Sequence, residues 1–386
     1  MSDTFLPYGR QSIDESDIQA VVETLRSEYL TTGPKVPEFE RALKQHIGAR
    51  HAVAVDNGTS ALHAACAAAG IGPGDEVIVP AITFVASANC VRYVGGEPVF
   101  ADVDPDSGLI SPASVEALLS ERTRAIIPVH LNGCPVDLEA IAAIARARDL
   151  IVIEDAAHAL GASFKGHPIG DSFYSNMTTY SFHPVKHITT GEGGAVATHD
   201  DALADKLRCV RDHGLTRTEE GFINPSPGPW YYEQQVLGHN MRLSAIHCAL
   251  GTSQLARLEG FLARRRAIAA RYGELLASVE HVKPVADGPE GASSAYHLYP
   301  VLIDFKGCGK SRAEVMARLR DLRVGTQVHY IPVPSQPYYV ERGHSMEGLP
   351  GAAAYYARVL SLPMYADLID EDVDRVVKAL DKVLHG

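Results

Sequence analysis

The sequence predicts an α/β protein, with a mixed, mostly parallel sheet sandwiched by helices and a smaller α+β domain at the C-terminal end. Three observations carry this. Short apolar, β-rich runs alternate with helical stretches from about residue 50, the pattern of βαβ units. Those runs are bounded by turn residues and read as strands covered on both faces. The chain is 386 residues long and 46 % hydrophobic, too much for one ordinary core. We therefore expect a large domain over residues 1–250 and a small one over 251–386.

Taken in order, the expected strands are 52–55, 76–80, 98–102, 125–129, 150–154, 178–182 and 195–198. Helical stretches lie between them at 60–69, 85–93, 114–119 and 138–148. No helix separates 178–182 from 195–198, so part of the sheet is free to be antiparallel. A long stretch rich in Ala, Leu and charge, residues 243–278, reads as helical and as the connection between the domains. Its Arg257, Arg264, Arg265, Arg266 and Arg271 read as a solvated helix face. Residues 282–291 are rich in Pro and Gly and read as a loop. The rest reads as a strand at 296–303, a helix at 312–322, a strand at 326–330 and a terminal helix at 371–384.

Composition narrows the function. Net charge is −12, with 47 acidic against 35 basic residues, which disfavours nucleic-acid binding through the overall field. A local basic pocket for a small phosphorylated molecule remains open. The six cysteines Cys66, Cys90, Cys134, Cys209, Cys248 and Cys308 form no C-x-x-C pair and read as small reduced hydrophobes rather than metal ligands. The opening Met1-Ser2-Asp3-Thr4-Phe5 lacks the basic-then-apolar pattern of a secretion signal. No apolar run approaches the roughly 18–20 residues of a membrane span. The expectation is a cytoplasmic protein without a membrane partner.

Four segments carry residue types suited to chemistry. The first is Tyr180-Ser181-Phe182-His183-Pro184-Val185-Lys186-His187-Ile188-Thr189-Thr190-Gly191-Glu192-Gly193-Gly194. It sets one lysine among hydroxyls, histidines and glycines just past a strand end. Glycine lets backbone come close to a flat ligand, and lysine forms Schiff bases when its surroundings keep the amine neutral. An exposed loop lysine in a Gly-rich turn is the plain alternative. In the second segment the apolar run at 150–153 ends in Glu154-Asp155-Ala156-Ala157-His158. That puts a carboxylate at the C-terminal edge of a parallel strand, where open α/β sheets bind ligands. A carboxylate facing a pyridine nitrogen keeps it protonated and makes the ring an electron sink; a helix-capping aspartate is the alternative. The third, Asp56-Asn57-Gly58-Thr59-Ser60, runs from strand through turn to helix, whose free N–H groups and two hydroxyls make a phosphate cup. Capping alone would also explain them. The fourth is Thr83-Phe84, an aromatic past a strand end that can stack on a flat ring or simply pack. Together these describe a phosphate cup, a stacking ring, a carboxylate for a ring nitrogen and a lysine for an aldehyde. Pyridoxal phosphate has all four features.

With Leu30-Thr31-Thr32-Gly33-Pro34 and Gly238-His239-Asn240-Met241-Arg242 added, the chain resembles the DegT/DnrJ/StrS family of sugar aminotransferases from Tyr8 to about Pro363. The resemblance implies an aspartate-aminotransferase fold of type I and a large domain that binds pyridoxal 5'-phosphate, with the N-terminal segment at the active site. It further implies Lys186 as the cofactor-bearing lysine and proton shuttle, Asp155 at the pyridine nitrogen and His158 near the phenolic oxygen. Phe84 would lie on the ring, with Gly58, Thr59, Ser60 and Ser181 at the phosphate. Asn240 would reach the phosphate of a neighbouring subunit, which implies a homodimer with shared active sites. Gly58 stands where alanine is common, and a slightly looser cup is the only consequence expected.

Within the family the likeness is strongest to the transaminases of the pseudaminic acid pathway, on Tyr296-His297-Leu298-Tyr299-Pro300 and Thr326-Gln327-Val328-His329-Tyr330-Ile331-Pro332. It implies L-glutamate and a UDP-linked 4-keto-6-deoxy sugar as partners; the alternatives are another nucleotide-linked 4-keto sugar, of the UDP-4-keto-pentose or GDP-perosamine type, and a non-catalytic regulatory protein that binds the cofactor. Tyr8, Glu28, Tyr29, Leu30, Thr31, Gln327, His329 and Tyr330 would line the sugar-nucleotide site. Trp230-Tyr231-Tyr232-Glu233 is free to close over the substrate, and the sequence assigns it no role. No metal is expected.

Overall fold

The fold was described from a computed structural model covering residues 4–386. Met1 to Asp3, the start of the run read for a secretion signal, lie outside the described residues. Seven strands form the central sheet: β1 (His51–Val55), β2 (Glu76–Pro80), β3 (Glu97–Ala101), β4 (Thr123–Ile126), β5 (Ile151–Asp155), β6 (Met177–Ser181) and β7 (Gly194–Thr198). Their order is β1-β7-β6-β5-β4-β2-β3, and every pairing is parallel except the two made by β7. This is the mixed, mostly parallel sheet of fold type I. The predicted strands sit within a few residues of these bounds. β2, β7 and all but the first residue of β1 are buried, as strands covered on both faces must be.

The N-terminal part holds two helices that the sequence reading did not assign, α1 (Glu15–Leu25) and α2 (Lys35–Ile47). An Asp14/Asp17 capping box opens α1, and Gly48 in the left-handed conformation closes α2. Next, α3 (Gly58–Ala68) follows β1, and α4 (Ala86–Tyr93) follows β2. Both begin at the C-terminal edge of the sheet, which is the edge that carries the site.

The stretch 243–278 is two helices, Ala245–Ala256 and Leu258–Leu276, broken at Arg257. Arg257 turns back to pair with Asp14 and Asp17 of the N-terminal segment. The longer helix does link two cores. Its Leu258, Phe261 and Leu262 belong to the core around the seven-stranded sheet. Ile268, Ala269, Tyr272 and Leu276 belong to a second core, built with Val282–Pro284, Tyr299–Ile303, Val359–Leu362 and Asp370–His385. The reading of its arginines as solvated fails at Arg265, which is 1 % exposed. Its guanidinium donates to the carbonyls of Tyr296, His297 and Met364, and burial lowers its pKa to about 10.

Three further expectations change. Residues 326–330 form no strand. Gln327 exchanges two backbone hydrogen bonds with Ser361, after which the chain turns and carries His329 and Tyr330 into the cavity described below. The strand expected at 296–303 starts only at Tyr299, because Tyr296 sits at φ +48° in a turn. The loop at 282–291 begins as the strand Val282–Pro284. All six cysteines are free; Cys66, Cys90 and Cys248 are buried. Among the described residues no helix is long and apolar enough to cross a membrane.

Candidate active site

A cavity of about 890 Å³ opens at the C-terminal ends of β1, β2, β5 and β6. That volume is in the range of small-molecule and cofactor sites. Its wall brings together residues singled out from the sequence: Gly58, Thr59, Ser60, Phe84, Asp155, His158, Ser181 and Lys186, with Tyr8, Gln327, His329 and Tyr330 above them. Residues as far apart in sequence as Tyr8 and Tyr330 meet because the chain returns repeatedly to one edge of the sheet.

The Asn57 side chain accepts the Ser60 N–H at 2.8 Å and opens α3, a cap worth about 1 kcal/mol. The N–H groups of Gly58 and Thr59 then have no helical acceptor and face the cavity with the hydroxyls of Thr59, Ser60 and Ser181. A Cβ on Gly58 would stand 2.8 Å from Ser181 Cβ and 3.2 Å from its Oγ. The cup is therefore tight, contrary to the looser cup expected. Gly194 also differs from expectation. A Cβ there would meet the backbone of Asn57 and the Tyr180 carbonyl, so this glycine lets β7 pack against the phosphate turn rather than admitting a ligand.

Asp155 ends β5 and is 5 % exposed. No α-helix starts there, so it is not a helix cap. Its Oδ1 accepts the Ala157 N–H at 3.1 Å, and its Oδ2 accepts from Ser87 Oγ at 2.7 Å. Beside it Glu154 points to the other side of the sheet, accepting from buried His130 and from Ser175 and Thr178. Adjacent carboxylates on one strand thus do separate work, one at the site and one in the core.

Lys186 sits on a turn after β6. Its side chain is half-buried and lines the cavity. Burial lowers its pKa to about 8, against the opposing charge of Asp155. His158 is buried with its Nε2 3.1 Å from Tyr330 Oη, and its ring packs against His297 with centroids 4.3 Å apart. Burial, then the charge of Lys186, pushes His158 well below its ordinary pKa. His329 falls to about 3 for the same two reasons, and its Nδ1 lies 2.8 Å from Ser361 Oγ. Both rings are neutral at pH 7. Tyr330, pushed upward by burial, keeps its proton. The Phe84 ring is over half exposed toward the cavity and lies 6.0 Å from that of Tyr330.

The structure leaves other predicted residues outside. Glu28, Tyr29, Leu30, Thr31 and Asn240 are exposed and do not line the cavity. Trp230 is 72 % exposed, and Glu233 turns inward on its own loop to accept from Ile223, Asn224 and Tyr231; in this chain the run does not close over the cavity. Of the histidines flanking the lysine, His183 lines the cavity, while His187 is buried behind it against the Ala295 carbonyl. The sequence reading missed Ser87 and Thr179, and named Thr83 and His297 only within longer segments, without a role of their own. The i, i+4 spacing of Thr83 and Ser87 at a helix start was the available signal for that pair.

The donor set matches pyridoxal phosphate group by group. The helix-end cup suits the phosphate and the buried carboxylate the ring nitrogen. A neutral histidine and tyrosine suit the phenolic oxygen, and the amine with the lowered pKa suits the aldehyde. On a type I sheet this defines a pyridoxal-phosphate transaminase. The chain belongs to the DegT/DnrJ/EryC1/StrS aminotransferase family, whose model matches residues 11–381. It is 41 % identical over 384 residues to the spore coat polysaccharide biosynthesis protein SpsC of Bacillus subtilis (strain 168), covering 99 % of this chain and 98 % of that one. Among solved structures it is similar to Spr1654 of Streptococcus pneumoniae in its PMP form, at TM-score 0.91 and 31 % identity over 98 % of this chain and 99 % of that one. It is also similar to Helicobacter pylori PseC, an aminotransferase of pseudaminic acid biosynthesis, at TM-score 0.90 and 30 % identity over 99 % of both chains. The protein is a sugar aminotransferase that uses pyridoxal 5'-phosphate.

Proposed function

We propose that this enzyme moves the amino group of L-glutamate to C4 of a UDP-linked 4-keto-6-deoxy-N-acetylhexosamine. The product would be UDP-4-amino-4,6-dideoxy-N-acetyl-β-L-altrosamine, for pseudaminic acid synthesis. The observation that carries the reading is the wall of Tyr8, Gln327, His329 and Tyr330 standing over Lys186. Likeness to PseC along the whole chain supports it.

Pyridoxal phosphate, when bound, supplies the electron sink. The protein's part is to hold and to move protons. Gly58, Thr59, Ser60 and Ser181 would hold the phosphate, and Phe84 would cover the ring. Asp155 would pair with the ring nitrogen and keep a proton there. His158, neutral and tied to Tyr330, would serve the phenolic oxygen. Lys186 would carry the cofactor, and its free Nζ would move the proton taken from the amino donor. A lysine at pKa 8 instead of 10.5 has a neutral fraction roughly 300 times larger at pH 7, and only the neutral amine does this work. Tyr8, Gln327, His329 and Tyr330 orient the sugar.

The proposal includes a homodimer with shared active sites. Asn240, and Glu28, Tyr29, Leu30 and Thr31, are exposed and off the cavity, which suits service to the site of a second copy. Ile223 and Leu237 are 79 % and 85 % exposed on the segment leading to Asn240, apolar surface that a second copy would cover. It also includes a division at residue 250 and a cytoplasmic setting. Two cores support a division into two parts, although Leu258, Phe261, Leu262, Val333 and Tyr355 from beyond residue 250 pack in the first core, and the N-terminal segment adds Leu6 to the second core and Tyr8 to the cavity. Six free cysteines support the cytoplasmic setting. A second reading is a different nucleotide-linked 4-keto sugar, such as a UDP-4-keto-pentose or a GDP-perosamine precursor; the 41 % identity to SpsC, a spore coat polysaccharide biosynthesis protein, supports a sugar substrate without naming it.

The test incubates the cofactor-loaded protein with L-glutamate and the UDP-linked 4-keto-6-deoxy-N-acetylhexosamine and follows amino sugar by mass spectrometry. The expected result is product from the parent and none from Lys186→Ala. Glutamate that converts the cofactor's absorption while the sugar gains no nitrogen would remove this substrate and leave the second reading. A cofactor band that glutamate never alters would remove the glutamate donor.

A further inference from the structure

Asp155 is a buried carboxylate, and the groups hydrogen-bonded to its oxygens are the Ala157 N–H and the Ser87 hydroxyl. Ser87 lies in the first turn of α4, 68 residues from Asp155, and is fully buried. Its Oγ is 2.7 Å from Asp155 Oδ2 and 3.3 Å from the Phe84 carbonyl just before its helix. The single hydroxyl proton goes to the shorter, charge-assisted bond. A serine near a helix start ordinarily bonds back to its own turn; here the distances favour the remote carboxylate. Thr83 Oγ1 stands 2.7 Å from Ser87 Oγ. With the serine proton spent on Asp155, the threonine must donate to the serine. The two hydroxyls thus form a directed chain, Thr83 to Ser87 to Asp155, in which each polarises the next.

We propose that Ser87, backed by Thr83, is a positioning residue that sets where the proton lies between Asp155 and the cofactor's ring nitrogen. A hydrogen bond into Oδ2 stabilises the carboxylate as an anion and fixes its plane. The anion then leaves the proton on the ring nitrogen. Without Ser87 the carboxylate becomes more basic and free to turn, and the proton moves toward Asp155. The ring loses positive charge and with it part of its power as an electron sink. This rests on cofactor binding at Asp155 and on neither the sugar nor the amino donor.

The experiment uses the holoenzyme without substrates. It records the pH midpoint of the bound cofactor's visible absorption, together with cofactor affinity by fluorescence titration of the apoprotein. A positively charged ring nitrogen holds the midpoint down, since it opposes a second positive charge nearby. Ser87→Ala is expected to raise the midpoint by about one pH unit and weaken cofactor binding about tenfold, the scale of one hydrogen bond to a charged group. Thr83→Val should move the midpoint in the same direction by less, and Ser87→Thr, which keeps the hydroxyl, should stay near the parent. An unchanged or lowered midpoint in a Ser87→Ala protein that melts like the parent would overturn the proposal. So would a change in melting temperature alone, which would make Ser87 merely structural. If no variant or parent bound cofactor, the cofactor site rather than the relay would be wrong.

Discussion

Lys186 offers a test of the site's electrostatics that needs neither cofactor nor substrate. In the unfolded chain its amine titrates near 10.5, and in the folded apoprotein near 8, because burial outweighs the attraction of Asp155. Between those values the unfolded state binds more protons, so stability rises with pH across that window. Below pH 8 the folded protein carries the cost of partly desolvating the ammonium; above 10.5 the cost is gone. A difference of 2.5 units, taken from those two pKa values, is about 3 kcal/mol at 1.36 kcal/mol per unit. Water in the adjoining cavity makes that an upper figure. Lys186→Met removes the titrating group and keeps most of the volume. The apoprotein of this variant should be more stable than the parent by up to about 3 kcal/mol at pH 7, and the gap should close toward pH 10.5. Urea unfolding of both proteins at several pH values measures it. Comparing them at each pH cancels the buried tyrosines, which also titrate at high pH. A gap that stays constant with pH, or a parent that is the more stable at pH 7, would refute the claim that desolvation of this amine sets its pKa.

Two further substitutions probe features that only the structure revealed. Gly58→Ala puts a methyl 2.8 Å from Ser181 Cβ, so α3 and β6 must part. The expected cost is about 1–3 kcal/mol of overpacking together with weaker cofactor binding, read by thermal melting and by fluorescence titration. Parent-like affinity would mean that this close approach does not shape the cup. Arg265→Met leaves the carbonyls of Tyr296, His297 and Met364 without their common donor. A loss of about 2–4 kcal/mol in urea unfolding is expected, since each orphaned buried acceptor costs about 1–3 kcal/mol and relief from burying the cation offsets part of it. A neutral result would show that water replaces the guanidinium.

The same contrast explains what the sequence could disclose. Strands buried on both faces announce themselves as apolar runs, and the chemistry sits where those runs stop. Asp155 and Lys186 were therefore legible as a carboxylate and an amine at strand ends, and Asn57 to Ser60 as a helix start. The strand expected at 326–330 failed because the single bridge of Gln327 to Ser361 does not make a strand, and the β-rich letters of Gln327 to Tyr330 serve the cavity instead. Arg265 misled because it sits in a run of arginines on a helix, where spacing alone says solvent. What buries it is a set of backbone carbonyls contributed by positions 296, 297 and 364, and carbonyls carry no sequence signature. Ser87 escaped for a related reason. A serine at a helix start has a sufficient local explanation, and its partner lies 68 residues away. Gly58 reversed sign, from loose to tight, because the cost of a methyl depends on Ser181 across the sheet and not on the turn that contains it. Local letters thus identify which groups do the chemistry, while the groups that set their strength answer to distant backbone and side chains.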